Sequence, residues 1–130
     1  SHVMPALIKK FHHAKINKIS EVICWGTGTP KREFLYVDDL ADACVFIMEH
    51  DISNGLYNIG TQKDITIREL VDLISSIIGF NGYINFDESM PDGTMRKILD
   101  VSKINNLGWS YKTNLTEGIK LTYKNYLKSN

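Results

Sequence analysis

The residues best suited to chemistry lie in one run, Trp25-Gly26-Thr27-Gly28-Thr29-Pro30-Lys31-Arg32-Glu33-Phe34-Leu35-Tyr36-Val37-Asp38-Asp39. An indole at a strand end offers a flat face and an N–H donor to a nucleobase. A guanidinium at the head of the next strand can fork onto phosphate oxygens. Arg32 and Trp25 are therefore candidate contacts for a nucleotide, although an exposed hairpin with a core tryptophan and a paired arginine uses the same residues. A second run, Pro91-Asp92-Gly93-Thr94-Met95-Arg96-Lys97, places a turn and a carboxylate beside two cations. It can hold hydroxyls or phosphate, or serve as a surface turn. His2, His12 and His13 have no Cys or carboxylate at ligand spacing, and adjacent helical histidines point in different directions, which argues against a metal site. Cys24 and Cys44 sit in apolar runs and are expected to pack. Asp38, Asp39 and Asp42 are expected to form an N-cap and first-turn cluster favoured by the helix dipole, not an acid/base pair.

These residues need elements to hold them. Pro5 with Leu7, Ile8, Phe11 and Ala14 predicts a helix near 5–17, and Glu21–Trp25 predicts a strand ended by the glycine-rich loop. Gly26-Thr27-Gly28 leads into a second predicted strand, Glu33–Val37, instead of a helix, so it is not a dinucleotide loop. Asp38 or Asp39 is then expected to cap a helix with the stripe Leu40, Ala43, Cys44, Ile47 and Met48. A turn at 53–55 precedes a predicted strand at 56–60. Thr66-Ile67-Arg68-Glu69 has capping-box spacing ahead of Leu70, Leu73, Ile74, Ile77 and Ile78, with Gly79 at the C-cap. A strand at 82–86, a short helix from Ser102 to Leu107 and a last helix started by Asn114 and Glu117 complete the pattern. The fold class is α/β, a small mixed domain of helices with short strands.

The chain has 130 residues, 43% of them hydrophobic, enough for one domain with a core. Its net charge of zero divides into +4 over residues 1–37, −8 over 38–100 and +4 beyond. That balance argues against a nucleic-acid partner and leaves room for a small anion near the N-terminus. No apolar run is long enough to span a membrane, no signal peptide is visible, and two cysteines make no disulfide framework. A soluble, cytoplasmic protein is expected.

Together these segments resemble the C-terminal part of the GDP-L-fucose synthase family, extended short-chain dehydrogenases/reductases. Ser-His-Val-Met-Pro-Ala-Leu-Ile at 1–8, the run from Trp25 to Asp39, Thr-Ile-Arg-Glu-Leu at 66–70 and Pro-Asp-Gly-Thr-Met-Arg-Lys-Ile-Leu-Asp-Val at 91–101 carry the likeness, which runs essentially end to end. The resemblance implies that residues 1–130 are the nucleotide-sugar-binding domain of a larger enzyme. That enzyme epimerises GDP-4-keto-6-deoxy-D-mannose at C3 and C5 and reduces C4 with NADPH, giving GDP-L-fucose. It places a catalytic acid/base at His2 and substrate contacts at Trp25, Arg32 and Asp92. A family arginine falls at Lys10, where lysine keeps the charge and loses the bidentate fork. It further implies that NADPH sits on a Rossmann domain absent from this chain, with none bound here, and that the full enzyme is a homodimer. Another NAD(P)-dependent nucleotide-sugar epimerase or dehydratase, or a non-catalytic nucleotide-sugar-binding domain, remains an alternative.

Overall fold

The computed structural model describes residues 3–50, 57–93, 96–97 and 99–129. The described residues form five helices and five short strands, in chain order α1 (Val3–Ile16), β1 (Glu21–Trp25), β2 (Lys31–Arg32), α2 (Val37–Glu49), β3 (Ile65–Thr66), α3 (Ile67–Ile78), β4 (Tyr83–Asp87), β5 (Arg96–Lys97), α4 (Ser102–Asn106) and α5 (Leu115–Ser129). The expected small mixed domain of helices and short strands is what the chain forms. β1 and β4 pair in parallel, Trp25 opposite Asp87, while β2 lies between β3, antiparallel, and β5, parallel.

Buried side chains gather in two clusters. The larger joins Ile8, Phe11 and Ala14 of α1, Val22 and Cys24 of β1, Leu70, Val71, Ile74 and Ile78 of α3, Phe80, and Ile119 of α5. Each large side chain removed from water there contributes roughly 1.5–3 kcal/mol. The helical stripe predicted for α3 is thus a core face. Its ends are also as expected: Thr66 Oγ1 accepts from Glu69 N at 3.0 Å, Thr66 N donates to Glu69 Oε1 at 3.1 Å, and Gly79 takes a left-handed φ of 87°. The smaller cluster joins Ala43, Val101, Ile104 and Trp109.

Departures from expectation concentrate between residues 33 and 60. The predicted strand 33–37 is replaced by β2 at 31–32: the Tyr36 carbonyl is taken by the α2 amides of Asp39 and Leu40, and the Glu33 carboxylate accepts the Gln62 amide at 2.6 Å. Residues 57–60 form no strand; the predicted turn at 53–55 and Leu56 lie outside the described residues. In α2 only part of the predicted stripe is covered. Ala43 is fully buried, but Leu40, Cys44 and Met48 are exposed, so Cys44 is not the packing residue expected. Neither Asp38 nor Asp39 caps α2: the N-cap is Tyr36, with no side-chain bond. Asp39 is buried and faces the chain's far end, where Oδ2 accepts from the amides of Lys112 (3.1 Å) and Thr113 (2.8 Å) and Oδ1 from the Thr113 hydroxyl. One turn on, Asp42 accepts from Trp109 Nε1 at 2.9 Å and pairs with Lys112 at 3.0 Å. The acidic start of α2 is an anchor for residues 109–113.

Candidate functional site

Three of the predicted site residues converge on the loop between β1 and β2. The loop begins where alternation along β1 turns Glu21, Ile23 and Trp25 outward and Val22 and Cys24 inward. Trp25 is 66% exposed, so its indole is a surface face and not core filling. Gly26 and Gly28 then take φ values of 86° and 76°, which side chains rarely adopt. Both are also sterically closed. A Cβ on Gly26 would fall 2.1 Å from Asp92 Oδ1, and one on Gly28 2.8 Å from the Phe86 ring.

Asp92 grips this loop directly. Its Oδ1 accepts from Thr27 N at 2.9 Å and its Oδ2 from the Thr27 hydroxyl at 2.6 Å. Those bonds, the hydroxyl's foremost, hold the Asp92 carboxyl below the usual carboxylate range. The neighbouring Gly93 lies against Arg32, whose Nη2 would be 2.9 Å from a Cβ placed there. Arg32 is half-buried on the central strand β2, and its Nη1 donates to Lys31 O at 2.8 Å. Trp25, the loop, Asp92, Gly93 and Arg32 therefore form one contiguous surface. Lys10 reaches it from α1: its Nζ donates to the carbonyl of Ile23, two residues before Trp25. His2 lies outside the described residues.

Two site features escaped the sequence reading. Thr27 is the loop's point of attachment, and Arg68, from the first turn of α3, donates from Nη2 to Thr27 O at 2.7 Å. Capping-box spacing marks Arg68 as an early helix position, and nothing local connects it with residue 27. Of the described histidines, His13 and His50 are exposed, and His12 is a packing group. His12 Nδ1 bonds the Tyr123 hydroxyl at 2.8 Å and its ring meets Tyr123 and Tyr126 edge-on. No cluster of three metal-ligating side chains occurs among the described residues.

Chemically, the surface combines an aromatic face, a guanidinium and an ammonium, a set suited to a base and an anionic diphosphate. The loop itself does not fit a dinucleotide pyrophosphate. The Thr27 amide that a phosphate would need is given to the Asp92 carboxylate, which would repel it. Two clefts of about 350 and 380 Å³ meet at Phe34, and neither is lined by Trp25, Arg32 or Asp92. Among the described residues no helix is long and apolar enough to cross a membrane.

Comparison with known proteins gives this surface a context. Residues 1–60 match the NAD dependent epimerase/dehydratase family. The chain is 50% identical over 129 residues to GDP-L-fucose synthase 1 of Arabidopsis thaliana, an alignment covering 99% of this chain and 40% of that protein. Among solved structures it resembles a GDP-mannoheptose C4 reductase from Campylobacter jejuni with NADP bound, at 38% identity and a TM-score of 0.85, over 96% of this chain and 44% of the other. A GDP-L-fucose synthetase from Naegleria fowleri matches with a TM-score of 0.88 at 27% identity, over 98% of this chain and 40% of the other. The chain spans about two-fifths of the length of these relatives. Its first 60 residues carry the pattern of the NAD dependent epimerase/dehydratase family, and along 99% of its length it is a relative of the GDP-L-fucose synthases.

Proposed function

We propose that the chain is the nucleotide-sugar-binding portion of an enzyme that converts GDP-4-keto-6-deoxy-D-mannose to GDP-L-fucose by 3,5-epimerisation and NADPH-dependent 4-reduction. The observation that carries this reading is the convergence of Trp25, Arg32 and Asp92 on one loop in a chain half identical to a GDP-L-fucose synthase. In it, the Trp25 ring stacks on guanine, the Arg32 fork matches the diphosphate, and Lys10 adds charge without a fork. Asp92 sets the loop and faces the ligand across it. His2 is an acid/base for inversion at carbons whose C–H bonds the 4-keto group acidifies. NADPH is held by a Rossmann domain of the same enzyme. The exposed α2 stripe of Val37, Leu40, Cys44 and Met48 is where that domain packs, and the complete enzyme is a homodimer. The portion described here, alone, is catalytically silent.

Calorimetric titration of the complete enzyme with GDP, UDP and NADPH tests this. Arg32→Ala is expected to weaken GDP binding by about 2–4 kcal/mol, because a phosphate is left without its partner, and Arg32→Lys by less. NADPH affinity stays as in the wild type. An unchanged GDP affinity, a loss shared equally with NADPH, or a preference for UDP defeats the reading. For His2, His2→Asn is expected to slow solvent exchange of the C3 and C5 protons far more than it weakens binding; wild-type exchange removes its catalytic role.

A further inference from the structure

The loop joining Trp25 to Arg32 is held from two sides, and only one hold belongs to a predicted ligand contact. On the side opposite Asp92, the start of α3 closes onto it. A helix's first amides have no intrahelical acceptor, and here the amides of Ile67 and Arg68 are satisfied by the loop carbonyls of Pro30 and Gly28, each at 2.9 Å. The Arg68 side chain adds a third bond, Nη2 to Thr27 O at 2.7 Å. Its guanidinium lies over the Phe86 ring, 4.0 Å from the centroid, so an exposed cation is stacked in a fixed plane instead of roaming through solvent. Gly28 fits beneath only because it has no Cβ: one placed there would meet both Phe86 and Arg68 Cβ. The Thr27 peptide is thus gripped at its N–H and hydroxyl by a carboxylate and at its carbonyl by a guanidinium.

We propose that Arg68 is a positioning residue for nucleotide binding. It fixes the Gly26–Pro30 loop so that Trp25 and Arg32, at its two ends, hold their separation before the ligand arrives. The inference rests on the ligand reading above. A loop that must be ordered on binding draws that cost from affinity, and a pre-set loop does not. Guanidinium geometry matters because stacking on Phe86 and donation to Thr27 O are made by one rigid plane. Lysine retains charge and some reach but not the stacked fork.

The test is GDP titration of the complete enzyme carrying Arg68→Gln or Arg68→Lys, with NADPH titration and thermal melting alongside, and with Arg68→Gln repeated in Arg32→Ala and Trp25→Ala backgrounds. Arg68→Gln is expected to weaken GDP about tenfold, the scale of one hydrogen bond to a charged group. Arg68→Lys weakens it less, and NADPH affinity holds. In the two Ala backgrounds the Arg68→Gln effect shrinks toward none, because the residue acts through those side chains. A lowered melting temperature with unchanged GDP affinity overturns the proposal, as does a GDP loss that persists undiminished in both backgrounds. If Arg68→Gln does not fold, Arg68→Lys decides by the same two criteria. Should Arg32→Ala and Trp25→Ala themselves leave GDP binding intact, the ligand reading fails; should they weaken it while Arg68 variants do not, only this inference fails.

Discussion

Helices α2 and α3 have similar lengths and similar apolar stripes, yet they are held in opposite ways. α3 begins with a reciprocal capping box, ends on a left-handed glycine and buries Leu70, Val71, Ile74 and Ile78 almost completely. α2 begins without a side-chain cap, and Leu40, Val45 and Met48 are 43%, 46% and 72% exposed. α2 is held on one side by a small apolar cluster, Ala43 with Val101, Ile104 and Trp109, and otherwise by polar ties: buried Asp39 and part-buried contacts of Asp42 bind it to residues 109–113. An apolar stripe therefore declares that a face is fit to be covered. It does not say that the covering partner is near in the chain.

The largest expected effect tests that contrast directly. Ile74→Ala removes a fully buried side chain of α3 from the larger core cluster and is expected to cost about 2–5 kcal/mol, read as a fall in the urea midpoint. Met48→Ala on the exposed stripe of α2 should change the midpoint of the same chain by no more than about 0.5 kcal/mol. Comparable losses at both positions would mean that the exposed stripe of α2 is packed by apolar contact after all.

A smaller effect is expected at the polar anchor. Asp39→Asn keeps the shape of the side chain but gives up the charge that meets two amides and a hydroxyl. The cost should be about 1.5–3 kcal/mol, the range for a hydrogen bond to a charged group. Hydrogen exchange localises it: the Lys112 and Thr113 amides should lose protection while those of α3 keep theirs. Uniform loss across both helices would erase the division between an apolar and a polar attachment.

The same contrast explains what could be read from sequence. The α3 capping box and the Asn114 start of α5 are local, with their partners within four residues, and they appear where the spacing puts them; β1 also appears where its pattern puts it, although its pairing strand β4 lies far along the chain. For Trp25 the residue types admit both a surface face and core filling; the alternation in Glu-Val-Ile-Cys-Trp, which puts it on the face of Glu21, is the signal that decides for exposure. Asp39 was not legible: a carboxylate at a helix start is equally a cap, and its partners are more than 70 residues away. The site itself divides similarly. Trp25 and Arg32, two of the residues proposed to contact the ligand, stand in one run, whereas the groups that hold the loop, Asp92 and Arg68, come from 65 and 41 residues downstream. Glu33 lies outside any strand and its carboxylate accepts the Gln62 amide, a contact 29 residues on that no local pattern announces.

The smallest effect separates the two helices by acid. Glu69 in α3 is held below its ordinary range by the Thr66 hydroxyl and amide, and Asp42 in α2 by the Trp109 indole, then Lys112. For a carboxylate whose folded pKa lies below its unfolded one, the stabilisation is fully present above the unfolded value, about 4.3 for Glu and 3.9 for Asp, and is lost as pH falls through the folded value. Stability from these two groups should therefore be flat from pH 7 to about 5 and decline only on the acid side of about 4. Glu69→Gln and Asp42→Asn should each flatten part of that decline in urea midpoints measured from neutral pH downward. Asp42→Asn should do so weakly and in a salt-dependent manner, because its bridge to Lys112 is open to water, with side chains 42% and 70% exposed. The Glu69 share should resist salt, since its partners are a hydroxyl and an amide within one helix turn. If both variants track the wild-type curve in parallel down to the acid transition, neither carboxylate carries acid sensitivity and the capping box contributes by geometry alone.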